Sequence, residues 1–214
     1  MRAFVAGTDT GVGKTYATSL LVRSLRENGI PAVGLKPVCC GGREDAELLR
    51  AASGGELSLD ETNPVSLNAP LAPLAAARAE GRDVSFSDLV SWFRRVSHGR
   101  EALLVEGAGG WLVPLAEGRT MADLAVAFEL PVLLVAANRL GCVNHTLLTL
   151  ESIRSHGLPC MGIVLNSIGP PADSSCAGNR TLIEEISSVP VLWEISPGQH
   201  RIDPSIISRP CSKT

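Results

Sequence analysis

The 214-residue chain has no apolar run approaching the roughly 20 residues of a membrane-spanning helix. Its longest apolar stretches, such as 131–137, have the length of a buried strand, so no membrane partner is expected. Positive charge is not in excess: 19 Lys and Arg stand against 22 Asp and Glu, a formal net charge of −3. A general nucleic-acid binder needs a basic face that releases counterions from phosphates, so no nucleic acid is expected as a partner. No CxxC pair occurs among the six cysteines, at 39, 40, 142, 160, 176 and 211, and no histidine lies at zinc-finger spacing from them. Adjacent Cys39 and Cys40 would strain the backbone if bonded to each other. All six are expected to stay thiols in a reducing compartment. The first seven residues carry one basic residue but no secretory apolar region with a cleavage site, which gives a cytoplasmic expectation. No internal repeat and no long linker divides the chain, so 1–214 is expected to be a single domain, with 198–214 as a loosely held tail.

What is present is a globular composition, 45% hydrophobic and 19% charged. Short continuous apolar runs at 2–6, 32–35, 102–105, 132–136, 161–165 and 191–193 predict buried strands. Helical spacing predicts helices over 15–26, 45–52, 85–97, 121–128, 146–155 and 182–186. Ser85 supplies a cap for the third of these, and Asn28-Gly29 stops the first. The stretch 54–73, rich in Gly, Ser, Pro and Asn, reads mostly as loop. The alternation predicts an α/β fold, a mainly parallel sheet with helices on both faces.

The sharpest local signal is Gly7-Thr8-Asp9-Thr10-Gly11-Val12-Gly13-Lys14-Thr15, between the first strand and the first helix. That is the context of a phosphate-binding loop. Glycines let successive N–H groups turn toward phosphate oxygens, and the helix presents its positive end to the same anion. Lys14 is then placed to neutralise the β- and γ-phosphates, and the Thr15 hydroxyl to ligate Mg2+. Five residues separate Gly7 from Gly13, one more than the usual pattern carries. Glu106 directly follows an apolar strand and precedes Gly107-Ala108-Gly109-Gly110. Ligands of open parallel sheets bind beyond the carboxyl ends of strands, so Glu106 reads either as a metal carboxylate or as a solvated strand end. Asp45 opens a helix, which by itself more often serves the helix dipole than a metal. Lys36 closes a strand on the same rim, as a surface lysine or as a second cation for an anionic group in transit.

Taken together, these residues resemble the dethiobiotin synthetase family, a P-loop NTPase-like group, from Phe4 to about Pro197. The resemblance is carried by 7–15, Gly34-Leu35-Lys36-Pro37-Val38, Asp45, Asn63-Pro64, Val105-Glu106-Gly107-Ala108-Gly109-Gly110-Trp111, Leu140-Gly141-Cys142-Val143-Asn144-His145 and Asn166. The extra residue between the glycines is a feature of that family. The resemblance implies a homodimeric ligase that inserts CO2, from bicarbonate, between the two amines of 7,8-diaminononanoate. ATP is the co-substrate, Mg2+ the metal, and no biotin prosthetic group is used. It further implies Lys36, Lys14 and Thr10 as catalytic, with Thr15, Asp45 and Glu106 on the metal. Nucleotide contacts would come from Gly11, Val12, Gly13, Lys14, Thr15, Tyr16, Asp45, Glu106, Gly107, Ala108, Gly109, Asn166, Ser196 and Pro197. The diamine would meet Thr10, Lys36, Cys40 and, from the dimer partner, Gly141, Cys142, Val143 and Asn144. This sequence has Cys40 where the family commonly has serine, Ser167 where Asp is common, and Ser196 where Pro is frequent.

Two other readings share the phosphate loop. Partitioning and septum-placing ATPases need a basic face or a membrane-binding helix, and usually carry an extra lysine where this chain has Thr8 and Asp9. The synthetase domain of cobyrinic acid amidation enzymes activates a carboxylate and usually carries a glutaminase domain as well.

Overall fold

The computed structural model describes residues 1–167 and 176–205. The elements run β1 (Arg2–Gly7), α1 (Lys14–Glu27), β2 (Val33–Leu35), β3 (Val38–Cys40), α2 (Glu44–Ala52), α3 (Leu59–Thr62) and β4 (Val65–Leu67). Then come α4 (Pro73–Ala79), α5 (Phe86–Ser97), β5 (Leu103–Glu106), β6 (Pro114–Ala116), β7 (Arg119–Thr120) and α6 (Met121–Ala127). The described chain closes with β8 (Val132–Ala137), α7 (Cys142–Ser155), β9 (Cys160–Asn166), α8 (Cys176–Ser187) and β10 (Val191–Ile195). Six strands form one sheet in the order β10-β9-β8-β1-β5-β2, with every neighbouring pair parallel.

Residue alternation along the strands separates two cores, as the pleat requires. Phe4 and Ala6 of β1 face one layer with α5, α6 and α7, where Phe93 stacks on Phe128 at 4.0 Å between ring centroids. Ala3 and Val5 face the other, with Ala17, Leu20, Leu21 and Leu25 of α1. Each large side chain buried there contributes about 1.5–3 kcal/mol against the cost of ordering the chain.

The main strands and helices fall where the apolar pattern put them, but 54–73 is less irregular than expected. Ser58 and Glu61 form a reciprocal capping box that stabilises the single turn of α3. The chain then pairs β4 with β3 as a small parallel ladder, too short to leave a periodic signal. α7 begins at Cys142 rather than 146, because Gly141 adopts φ 88° and starts the helix there. α8 is likewise longer than expected, and β6 with β7 forms an antiparallel hairpin that was not foreseen.

Part of the segment expected to be a loose tail is packed. The Ile202 side chain is buried, and its N–H donates to Ser24 Oγ at 3.1 Å. Trp193 Nε1 donates to the Asp203 carbonyl at 2.9 Å, and the Tyr16 hydroxyl donates to the Gln199 carbonyl. Cys39, Cys40, Cys142, Cys160 and Cys176 carry no disulfide, and Cys211 lies outside the described residues. Among the described residues no helix is long and apolar enough to cross a membrane.

Candidate functional site

β1 delivers the chain to Gly7 at its carboxyl end, and the loop that follows turns back into α1. Gly11 and Gly13 take φ values of 72° and 87°, a region that side chains disfavour. At Gly13 there is also no room. A Cβ would lie 1.9 Å from Asn166 Nδ2, because that amide donates to the Val12 carbonyl at 2.9 Å. Asn166, at the end of β9, therefore clasps the loop from outside. Lys14 folds over the loop, its Nζ donating to the Asp9 carbonyl at 3.1 Å. Burial lowers the Lys14 pKa to about 8, with the Glu106 charge opposing the shift and Lys36 adding to it.

The second lysine arrives on β2. Its backbone is fixed by α3 and the turn after it: Lys36 N–H donates to the Thr62 carbonyl at 2.8 Å, and Asn63 Nδ2 donates to the Lys36 carbonyl at 2.8 Å. The side chain is buried. Its Nζ donates to Glu106 Oε1 at 2.5 Å and to Asp45 Oδ2 at 2.8 Å. Burial alone would lower the Lys36 pKa, but the Glu106 and Asp45 charges outweigh it and hold the ammonium above its ordinary value. Burial likewise works to raise the Asp45 pKa, and the Lys36 charge and hydrogen bond reverse it to a net lowering.

Glu106 ends β5 with no exposed surface. Its Oε1 also accepts the Thr15 hydroxyl at 2.8 Å, while its Oε2 is buried with no hydrogen-bond partner. An unpartnered buried carboxylate oxygen is costly and calls for a cation or a donor. Thr15, Asp45 and Glu106 bring hard oxygen donors to one cavity. Mg2+ typically takes one or two carboxylates together with phosphate oxygens, so this set fits it. Among the described residues no three His, Cys, Asp or Glu side chains gather as a protein-only metal cage.

Two cavities meet at Lys36. One of about 230 Å3 is walled by Thr10, Gly11, Gly13, Lys14, Thr15, Lys36, Asp45, Glu106 and Gly109. The other, of about 520 Å3, shares Thr10, Lys36, Asp45 and Gly109 and is otherwise mainly apolar, with Val38, Cys40, Pro70, Leu71, Pro73 and Val113. Burial raises the Cys40 thiol pKa, and that of Cys39 to about 11, so both stay protonated at neutral pH. Residues 70–73 form a wall that the pattern of the sequence does not announce. Its one legible signal was Pro73, in the first turn of α4.

Not every expected residue lines these cavities. Gly141 to Asn144 open α7 on the far side of the loop, where Arg139 lies 4.0 Å from Asp9. Ser196 and Pro197 follow β10, beyond Asn166, and line neither cavity. Gly107 and Gly109 lie against β1 and the phosphate loop: a Cβ on Gly107 would meet the Phe4 ring at 3.1 Å, and one on Gly109 would meet Thr10 Oγ1 at 3.5 Å.

A family model described as an AAA domain matches residues 1–204. A protein named ATP-dependent dethiobiotin synthetase BioD, from Akkermansia muciniphila, is 48% identical over 208 residues, 97% of this chain and 98% of that protein. Another of the same name, from Anaeromyxobacter dehalogenans, is 51% identical over 188 residues, 86% of this chain and 84% of that one.

The chain belongs to the dethiobiotin synthetase family.

Solved structures place this dethiobiotin synthetase family member within a broader architecture. The septum site-determining protein MinD of Pyrococcus horikoshii, complexed with Mg-ADP, superposes with a TM-score of 0.57 over 91% of this chain and 81% of that one, at 18% identity. A ParA family ATPase from Chlorobium tepidum gives 0.57 at 13% identity, over 97% and 89%. At such identities the likeness is one of fold, a P-loop NTPase sheet, and not of activity.

Proposed function

We propose that this protein closes the ureido ring of dethiobiotin in biotin biosynthesis, an ATP-dependent ligase reaction that forms C–N bonds. The observation that carries the reading is the meeting of Lys14, Lys36, Thr15, Asp45 and Glu106 where a phosphate-loop cavity opens into an apolar one. The smaller cavity suits a triphosphate and the larger an aliphatic diamine, 7,8-diaminononanoate.

One amine adds to CO2, derived from bicarbonate, and loses a proton to give a carbamate. A carbamate oxygen attacks the γ-phosphorus, the β–γ bridging bond breaks, and ADP leaves. The second amine attacks the carbonyl of this carbamic–phosphoric anhydride, phosphate departs, and the ring closes with loss of a proton. Two anions must meet in the first transfer, so the site's task is positioning and charge neutralisation. Lys14 bears on the phosphates, Lys36 on the carbamate and γ-phosphate, and Thr10 lies at the boundary between the cavities. Gly11, Val12, Gly13 and Tyr16 frame the phosphates, Gly107 to Gly109 flank them, and Asn166, Ser196 and Pro197 border the base. Thr15, Asp45 and Glu106 would hold Mg2+, which would supply charge neutralisation for the phosphate transfer. Cys40 takes the diamine-side place with a thiol, a weaker donor than a hydroxyl.

A homodimer completes the proposal. Its support is a set of exposed leucines: Leu112 and Leu148, 53% and 63% exposed, line a cleft with Thr8 and Thr10, and Leu140 is 77% exposed just before α7. A second copy there would bring its α7 start, Gly141 to Asn144, toward the substrate carboxylate. We place the enzyme in the cytoplasm, as a single catalytic domain.

The test is incubation with ATP, Mg2+, labelled bicarbonate and 7,8-diaminononanoate. Acid-stable label should enter dethiobiotin only when both diamine and ATP are present, and vanish in Lys14→Ala. Phosphate release without diamine, and with no label fixed, would refute the reading.

A further inference from the structure

Lysine is scarce in this chain. Of 19 basic residues only Lys14, Lys36 and Lys213 are lysines. Two of the three are therefore in the site, and they are placed differently. Lys14 lies over the phosphate loop, against a carbonyl. Lys36 points between Asp45 and Glu106 and bonds both, with the Gly107 carbonyl at 3.5 Å. Those carboxylates are the pair read above as metal ligands, and Glu106 Oε2 beside them has no partner. Glu106 is buried and Asp45 half-exposed, and a buried carboxylate needs a counter-charge whether or not a metal is bound, because an uncompensated buried charge is strongly destabilising. Lys36 supplies it here. An ammonium and a divalent cation compete for the same carboxylate oxygens, since each draws on the same lone pairs and repels the other.

We propose that Lys36 is the resident counter-ion of the Asp45–Glu106 pair and yields that place to the divalent cation, so that its charge faces the carbon substrate only when the metal is bound. This rests on the metal reading above. The geometry allows the move. Lys36 and Asp45 line both cavities, and the larger, about 520 Å3, offers the side chain space beyond the carboxylates. The backbone on either side of Lys36 is pinned by Thr62 and Asn63, so the change is confined to the side chain. The consequence is ordered assembly: cation and nucleotide arrive first, and the cationic group for the carbamate is released by their arrival.

The scarcity of lysine makes this readable on the whole chain. Protein labelled with 15N-lysine gives three side-chain signals, assigned with Lys14→Arg and Lys213→Arg. Without metal, the Lys36 ammonium should exchange slowly with water. Mg2+ with ADP should shift it and speed its exchange at least tenfold, whereas ADP with EDTA should not. Mn2+ binding, followed by electron paramagnetic resonance without nucleotide, gives a second readout. Lys36→Met should tighten it at least tenfold, and Lys14→Met, which removes a nearby charge that touches neither carboxylate, by clearly less. If Mn2+ binds, is lost in Asp45→Asn, and the Lys36 signal keeps its shift and slow exchange, the displacement is wrong and the metal reading survives. If Mn2+ with nucleotide binds equally well in Asp45→Asn and Glu106→Gln, the metal reading fails and this inference with it. Should Lys36→Met not fold, the wild-type spectra alone decide.

Discussion

Lys14 shows how burial prepares a single residue for an anion. Its pKa in the nucleotide-free chain is about 8, against 10.5 for an ordinary lysine. For a lysine shifted down on folding, the cost of burying the charge is present in full below about 8. It is relieved as pH rises toward 10.5, where the unfolded chain still holds its proton. A polyphosphate reverses the shift by supplying counter-charge. At about pH 8.5, therefore, ATP binding should take up protons, and calorimetry in buffers of different ionisation enthalpy should detect the uptake. Lys14→Met should bind ATP more weakly and show no uptake. The sequence located Lys14 and Thr15 at the start of α1 and Glu106 at the end of β5, because a loop between strand and helix, or a strand's end, fixes a residue's position, though not its role. It left Lys36 and Asp45 ambiguous. Their meaning lies in a contact between two residues on different elements, which no local spacing encodes.

At the scale of elements, the segment after β10 behaves as a strap across α1. Ser196-Pro197-Gly198-Gln199 is a tight turn: the Gln199 N–H donates to the Ser196 carbonyl at 3.1 Å, and the Ser196 N–H donates to Gln199 Oε1 at 3.1 Å. Tyr16, in the first turn of α1, anchors that turn through the Gln199 carbonyl. The turn proposed to border the base is thus tied to the helix that follows the phosphate loop. Tyr16→Phe keeps the ring and removes the tie. It should raise KM for ATP roughly three- to tenfold, about 0.7–1.4 kcal/mol and the worth of one hydrogen bond, with kcat little changed. Competition by inorganic tripolyphosphate, which has no base, should stay at its wild-type value. Equal weakening of both would show that the hydroxyl supports α1 rather than the strap. Nothing in 198–205 is periodic, so a strap held by single hydrogen bonds and one buried isoleucine left no pattern to read. α3 and β4 escaped for the same reason: a capping box and a three-residue ladder are local devices, legible only as a lone Ser-x-x-Glu.

For the whole molecule, the six-stranded parallel sheet was legible because its strands are buried on both faces and read as unbroken apolar runs. What the sequence concealed was the surface. Leu112, Leu140 and Leu148 look like ordinary core leucines in a list of residues, and only the folded chain exposes them, with Leu112 and Leu148 beside Thr8 and Thr10. If a second copy covers them, Leu148→Glu should shift the protein from dimer to monomer in analytical ultracentrifugation. It should also raise KM for the diamine while ATP binding persists. A dimer unchanged by that substitution would place the interface elsewhere.

The carboxylate clasp on Lys36 has one more chemical consequence. CO2 adds to neutral amines and not to ammonium ions, and an enzyme that carbamylates its substrate exposes its own lysines to the same reagent. Glu106 and Asp45 hold Lys36 in the protonated form. On the proposed reaction, that nitrogen is thereby kept inert toward CO2 until a bound cation releases the clasp, and the diamine is left as the nucleophile.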